Sequence, residues 1–188
     1  MSAVAIQQRN KIHPHKFTLW LGIGSILMMF AGLTSAYIVK RNQANWAPFD
    51  LPMAFYYSTA VILASSATMW LAEKSFKARL MPRYRLLLAV TLVLGIIFTV
   101  LQVFGFSQLV QKGITLKGNV SWSFLYVIVG LHALHILGGV IALIVMSLKA
   151  FSSRERSYSL VPVELMSTYW HFVDVLWIYL LLFLWMIR

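Results

Sequence analysis

Five long stretches of the chain carry almost no charge, and the charged residues fall between them. Residues 17–39, 51–72, 86–111 and 118–148 are uncharged, and residues 165–187 hold one charge, Asp174. A helix needs about 20 mostly apolar residues to cross a hydrocarbon core of roughly 30 Å, and all five runs are long enough. In hydrocarbon, backbone N–H and C=O groups must be satisfied by a helix or by a closed barrel. A barrel strand alternates polar and apolar residues over about 10 positions. Leu86–Val100, LLLAVTLVLGIIFTV, does not alternate. The pattern therefore predicts an all-α integral membrane bundle of five transmembrane helices. Their expected ranges are 17–39, 52–72, 86–110, 122–148 and 164–187, forming one membrane domain over 17–188 after an N-terminal segment 1–16. The short connections predict antiparallel neighbours. No internal repeat, low-complexity tract or extramembrane domain is visible. The first run exceeds the apolar region of about 7–15 residues typical of a signal peptide, and it ends in Lys40-Arg41.

Composition sharpens this picture. Of 188 residues, 60% are hydrophobic and 11% charged, against about 25% charged in soluble domains. Such a chain is too apolar to be disordered. With no cysteine it has no disulfide framework, thiolate zinc site or Cys-ligated iron–sulfur cluster. The net charge of +11, from 16 Lys plus Arg and 5 Asp plus Glu, would suit nucleic acid if it covered a polar face. Instead it sorts by side. With the N-terminus in the cytoplasm, the inside holds Arg9, Lys11, Lys16, Lys74, Lys77, Arg79, Arg83, Arg85, Lys149, Arg154 and Arg156. The outside holds Lys40, Arg41, Lys112, Lys117 and Arg188. The positive-inside rule then predicts N-terminus in, C-terminus out, in a bacterial cytoplasmic (inner) membrane. The positive charge is expected to contact anionic head groups, and no nucleic-acid partner is expected. Trp20, Trp70, Trp122 and Trp185 lie near run ends, as an interfacial aromatic belt requires.

Polar residues at membrane depth are costly and mark the places to look for function. Glu164, Ser167, Thr168, His171 and Asp174 recur every three or four residues, which puts them on one face of the last helix. That ridge should face protein or an aqueous cleft. His171 and Asp174, at i and i+3, are placed to bond each other. The ridge serves either as glue between helices or subunits, or as a proton relay. His132 and His135 share a face of the fourth helix, followed by Gly138-Gly139. A zinc or copper site would need three or four ligands from several helices. A bis-His haem would need one ligand from each of two facing helices, such as His132 or His135 with His171. The plainer expectation is that the histidines bond across helices and the glycines allow close approach. Thr91, Gly95, Thr99 and Gln102, then Gly22, Ser25, Met29, Gly32 and Ala36, then Ala64-Ser65-Ser66-Ala67, form small-residue packing faces. No phosphate-binding loop, nucleophile elbow or carboxylate pair is present.

Tyr169-Trp170-His171-Phe172-Val173-Asp174-Val175-Leu176-Trp177 resembles the last-helix signature of haem–copper oxidase subunit III. Gly130-Leu131-His132-Ala133-Leu134-His135 is similar to the family's G-x-H-x-x-H pattern on the penultimate helix. Leu94-Gly95 with Phe98 and Gln102 resembles its Leu-Gly…Phe…Gln segment, and Leu63-Ala64-Ser65-Ser66 and Ala36-Tyr37 fit the two earlier helices. Glu164, seven before His171, matches a position where the family tends to carry Glu. The resemblance runs from about Lys16 to Trp185, and the Trp170–Asp174 block is its most specific part.

The resemblance implies the short, five-helix form, without the two helices that wall a lipid-holding cleft in the long form. It implies a non-redox subunit of a proton-pumping terminal oxidase of aerobic respiration. Such a subunit packs on subunit I beside subunit II, binds phospholipid, and supports proton uptake and complex stability. It has no catalytic, cofactor or metal residues of its own; haem and copper sit in the partner subunits. The expected structural contacts are Glu164, Ser167, Thr168, Trp170, His171, Asp174, His132, His135 and Gln102. Assembly into a larger respiratory supercomplex stays open, as does the electron donor, cytochrome c or quinol. Two departures stand out. The family commonly carries a buried carboxylate after the Ser of the first helix here, where this chain has Ile26, and another three after Gln102, where it has Gly105. A small proton-coupled transporter is the alternative from another class. Transporters often show inverted repeats and broken helices. Here Pro14, Pro48, Pro52, Pro82 and Pro162 all fall in loops or at run ends.

Overall fold

A computed structural model describes residues 14–42, 46–152 and 159–187. Most of the expected N-terminal segment lies outside the described residues, as do Arg9, Lys11, Arg154, Arg156 and Arg188. Five helices follow in order: α1 (Pro14–Arg41), α2 (Met53–Lys77), α3 (Met81–Gln111), α4 (Val120–Phe151) and α5 (Val161–Ile187). No strand occurs among the described residues.

Local chemistry sets several boundaries. Pro52 precedes α2 and Pro82 opens α3, where a missing N–H costs nothing. Asn119 caps α4, its side chain accepting from Ser121 N at 3.0 Å. The α2–α3 turn is tight because Arg79 adopts a left-handed φ of 57°. Ala78, Arg79 and Leu80 then donate to carbonyls of the last turn of α2.

α1, α3, α4 and α5 are long and apolar enough to cross a membrane. α2 has the length, 25 residues or about 37 Å at 1.5 Å per residue, but is more polar than the others. Its polarity is turned inward and satisfied. Ser58 and Thr59 bond the Phe55 carbonyl, each at 2.8 Å, and Thr68 bonds the Ser65 carbonyl at 2.9 Å. The helix packs against α3 and α5.

Sequence neighbours are not always neighbours in space. α1 packs on α4 and α5 and makes no packing contact with α2. It buries only a narrow stripe, Ile23, Phe30, Thr34 and Tyr37. α5 touches α1, α2 and α4 and is the most buried helix. Its Trp170 and Trp177 lie at the centre of the core. Phe55 and Phe98 meet Trp177 edge-on, with centroids 5.8 and 5.4 Å away.

Candidate functional site: the polar seam between α2 and α5

The ridge foreseen on the last helix is present, and its partner is α2. Thr59, Ser66 and Glu73 repeat every seventh residue and so line one side of α2. Because α2 and α5 run antiparallel, this line meets the α5 ridge rung by rung. At one end Lys16 Nζ bonds Glu164 Oε2 at 2.7 Å and Lys77 Nζ bonds Glu73 Oε1 at 2.6 Å. Lys77 also lies 3.6 Å from Glu164 Oε1, so two cations and two carboxylates join α1, α2 and α5. Burial pushes the Glu73 carboxyl up, but hydrogen bonds from Lys77 and Ser167 outweigh it and hold the group below the usual carboxylate range. The same bond to Glu73 raises the Lys77 ammonium.

Deeper along the seam, Ser66 Oγ meets His171 Nδ1 at 2.6 Å. Trp170 Nε1 donates to Ser65 Oγ at 3.1 Å, and Trp177 Nε1 donates to Thr59 Oγ1 at 3.0 Å. Thr168 spends its hydroxyl on the Glu164 carbonyl of its own helix at 2.8 Å. On the far side of α2, Gln102 Nε2 donates to Ser58 Oγ at 3.0 Å. Thr91 bonds Thr68 at 2.8 Å, tying α3 into the same network.

Two expected partnerships are not formed. His171 was expected to bond Asp174; it bonds Ser66 instead. Asp174 is 1% exposed, and neither of its carboxylate oxygens has a hydrogen-bond partner. The reason is rotational: the α2 side chain reaches His171 first, and the i to i+3 spacing on α5 does not compete. The histidines of α4 were expected to bond across helices. His135 Nδ1 instead donates to the Leu131 carbonyl of its own helix at 2.7 Å. The bond across helices comes from Tyr169, whose hydroxyl donates to the His135 carbonyl at 2.9 Å. His132 is fully buried, with neither ring nitrogen bonded. It stacks on Trp177 at 5.2 Å, with Phe30 and Phe98 edge-on, each at 6.4 Å. Among the described residues no three His, Asp or Glu side chains converge as a metal site would require.

The glycines do allow close approach where α5 brings its indole in. A Cβ on Gly95 would lie 2.9 Å from Trp170 Cη2, and one on Gly139 would lie 2.9 Å from Trp170 Cζ3. Trp170 is thus clasped between α3 and α4. Gly105, where the family resemblance implied an acid, faces the Phe55 ring, and a Cβ there would clash with Phe55 Cε1. The ring occupies the space of any side chain. Ile26 packs against the apolar core.

A second feature lies at the same end as Lys16 and Glu164. A groove of about 990 Å³ opens between the start of α3, the end of α4 and the start of α5. Val145, Met146 and Leu165 line it, and Arg85 and Lys149 also border it. Reading the α5 ridge alone missed Ser66, Thr59 and Glu73, although their seven-residue repeat was visible in the sequence.

A family model described as "Cytochrome c oxidase subunit III" matches residues 16–187. The chain belongs to the cytochrome c oxidase subunit III family. A "Probable cytochrome c oxidase subunit 3" of Nocardia farcinica is 34% identical over 180 residues, covering 90% of this chain and 85% of that one. The Mycobacterium leprae protein of the same description is 32% identical over 175 residues, with 90% and 85% covered. The Bacillus subtilis "Cytochrome c oxidase subunit 3" is 26% identical over 183 residues, with 94% and 86% covered. As a subunit III, the chain is a multi-pass membrane protein and part of an oxidase complex with other subunits.

Proposed function

We propose that the chain is the non-redox subunit III of a proton-pumping cytochrome c oxidase in a bacterial cytoplasmic membrane. It packs on subunit I, near subunit II, which between them carry the haem and copper. The family match over residues 16–187 carries this reading. Bacterial relatives described as cytochrome c oxidase subunits support cytochrome c, rather than quinol, as donor to the complex. The orientation is N-terminus inside. Lys16, Lys74, Lys77, Arg83, Arg85 and Lys149 fall at one set of helix ends, and Lys40, Arg41 and Lys112 at the other, which supports it. The test is purification of the complex through a tag on this chain. Co-purifying haem- and copper-bearing subunits, with a reduced-minus-oxidised haem spectrum, are expected. A haem-free chain purified without such partners would overturn the reading.

The subunit also holds a phospholipid in the groove of α3, α4 and α5. Its apolar lining suits an acyl chain, and Arg85 with Lys149 suits an anionic head group at the membrane surface. The paired variant Arg85→Glu, Lys149→Glu is expected to lower the phosphorus content of the purified complex. An unchanged content would remove the groove as the lipid site.

A further inference from the structure

His135 differs from the other histidines at membrane depth. His132 is sealed in by Trp177, Phe30 and Phe98, and His171 is bonded to Ser66. His135 is half-buried in the middle of α4, about 23 Å from either end of the helix at 1.5 Å per residue. Its tautomer is fixed. A carbonyl oxygen can only accept, so the 2.7 Å bond to Leu131 puts the proton on Nδ1. Nε2 of the neutral ring is then a bare acceptor. Among the described residues nothing donates to it, and it is not closed off as the His132 nitrogens are.

The neighbouring helices have their donors committed elsewhere. From α5, the Tyr169 hydroxyl is spent on the His135 carbonyl. From α1, Phe30 meets the imidazole edge-on at 5.8 Å. Thr34, one turn beyond, bonds the Phe30 carbonyl of its own helix and pairs with Tyr179. The bonds of Lys16 and Thr34 turn one side of α1 to α5. Ile26, Met29 and Leu33 lie on the other side, toward α4, and are apolar and half-buried. Lipid tails hold no donors either. The phospholipid groove lies the other way: its α4 lining runs from Gly138 to Ala150, whereas the bond to Leu131 leans the His135 ring over the preceding turn. Approach from outside the bundle is open. Leu134, the next residue back, is 62% exposed. On α1, nothing lies within 4 Å of a Cβ built on Gly22 or Gly32.

We propose that the α1–α4 face around His135 is a docking surface for a transmembrane helix of another oxidase subunit, and that this helix carries a hydroxyl or amide donor that bonds His135 Nε2. A neutral acceptor at this depth selects such a donor. A cation is costly in hydrocarbon, and an ionised carboxylate has nothing to donate. Leu131 and Leu134 supply the apolar contact beside the bond. The bond fixes the depth and rotation of the incoming helix, which apolar contact alone does not. This deepens the reading of the chain as an oxidase subunit and rests on it.

The test compares the purified oxidase with the isolated chain in the same detergent, both carrying isotope-labelled histidine. Nitrogen NMR reads the ring directly, and His135→Leu assigns its signal. Both samples should show the Nδ1–H tautomer, and the Nε2 signal should move upfield in the complex as the bond forms. His135→Leu should weaken retention of the neighbouring subunit by about threefold, and by no more than about twentyfold, the range of bonds measured between membrane helices. His135→Gln, which keeps an acceptor, should weaken it less. A photoreactive side chain at Leu134 gives a second readout if a variant fails to assemble. It should cross-link to a transmembrane segment of another oxidase subunit. An Nε2 signal unchanged by assembly, or cross-links to phospholipid alone, would overturn the proposal. Haem-bearing subunits that still co-purify would leave the oxidase reading intact, so the two failures are separable.

Discussion

Gly95→Ala is the sharpest probe of how the bundle is locked. The new methyl would lie 2.9 Å from Trp170 Cη2, 3.1 Å from Cζ2 and 3.4 Å from Val140 Cγ2. The indole has nowhere to retreat. Its other edge lies against Gly139, where a Cβ would be 2.9 Å from Cζ3, and its N–H is tied to Ser65 Oγ. Over-packing of this kind costs about 1–3 kcal/mol. Replacing Gly by Ala inside a helix returns about 1 kcal/mol of propensity. The net loss should be about 0–2 kcal/mol. Gly130→Ala on α4 is the control, since nothing lies within 4 Å of its Cβ; it should gain the propensity alone. The two variants should therefore differ by about 1–3 kcal/mol in unfolding of the detergent-solubilised chain. A Trp170→Phe background should shrink that difference, because the ring edge that meets the methyl is gone. Equal stabilities of Gly95→Ala and Gly130→Ala would refute the clasp.

Gly105→Ala should destabilise by a similar net amount, about 0–2 kcal/mol, because its Cβ would clash with Phe55 Cε1; thermal unfolding checks this, and Phe55→Leu should relieve it. Trp177→Phe removes the bond to Thr59 and should cost about 0.6 kcal/mol for that bond, the average inside membranes, with Thr59→Ala adding little in the same background. The Glu73–Lys77 contact should depend on pH from both sides. The lowered Glu73 carboxyl gives stability above its unfolded value that is lost as pH falls through its folded value. The raised Lys77 ammonium gives stability that is lost as pH rises through its own folded value. Glu73→Gln should remove the acid-side loss at this contact within α2, read as fraying of the last turn of α2 by a spin label placed there; an unchanged acid profile would count against the contact.

How far the sequence could be read depends on the kind of fact. Long uncharged runs had to become helices, because hydrocarbon offers the backbone no other partner. Their number, order and approximate limits followed. The polar ridge of α5 followed from spacing alone, and the Trp170–Asp174 block already resembled the family that the comparisons confirm. Rotation and neighbour choice were not legible. α1 skips α2 and packs on α4 and α5, which the connection between them does not specify. His171 bonds Ser66 and leaves Asp174 alone because α2, distant in sequence, supplies the nearer hydroxyl. Phe55 fills the space beside Gly105 because α2 and α3 approach closely there. Local spacing tells which side chains share a face. Only the packed bundle decides what that face meets, since each partnership depends on helix rotations that hydropathy does not encode.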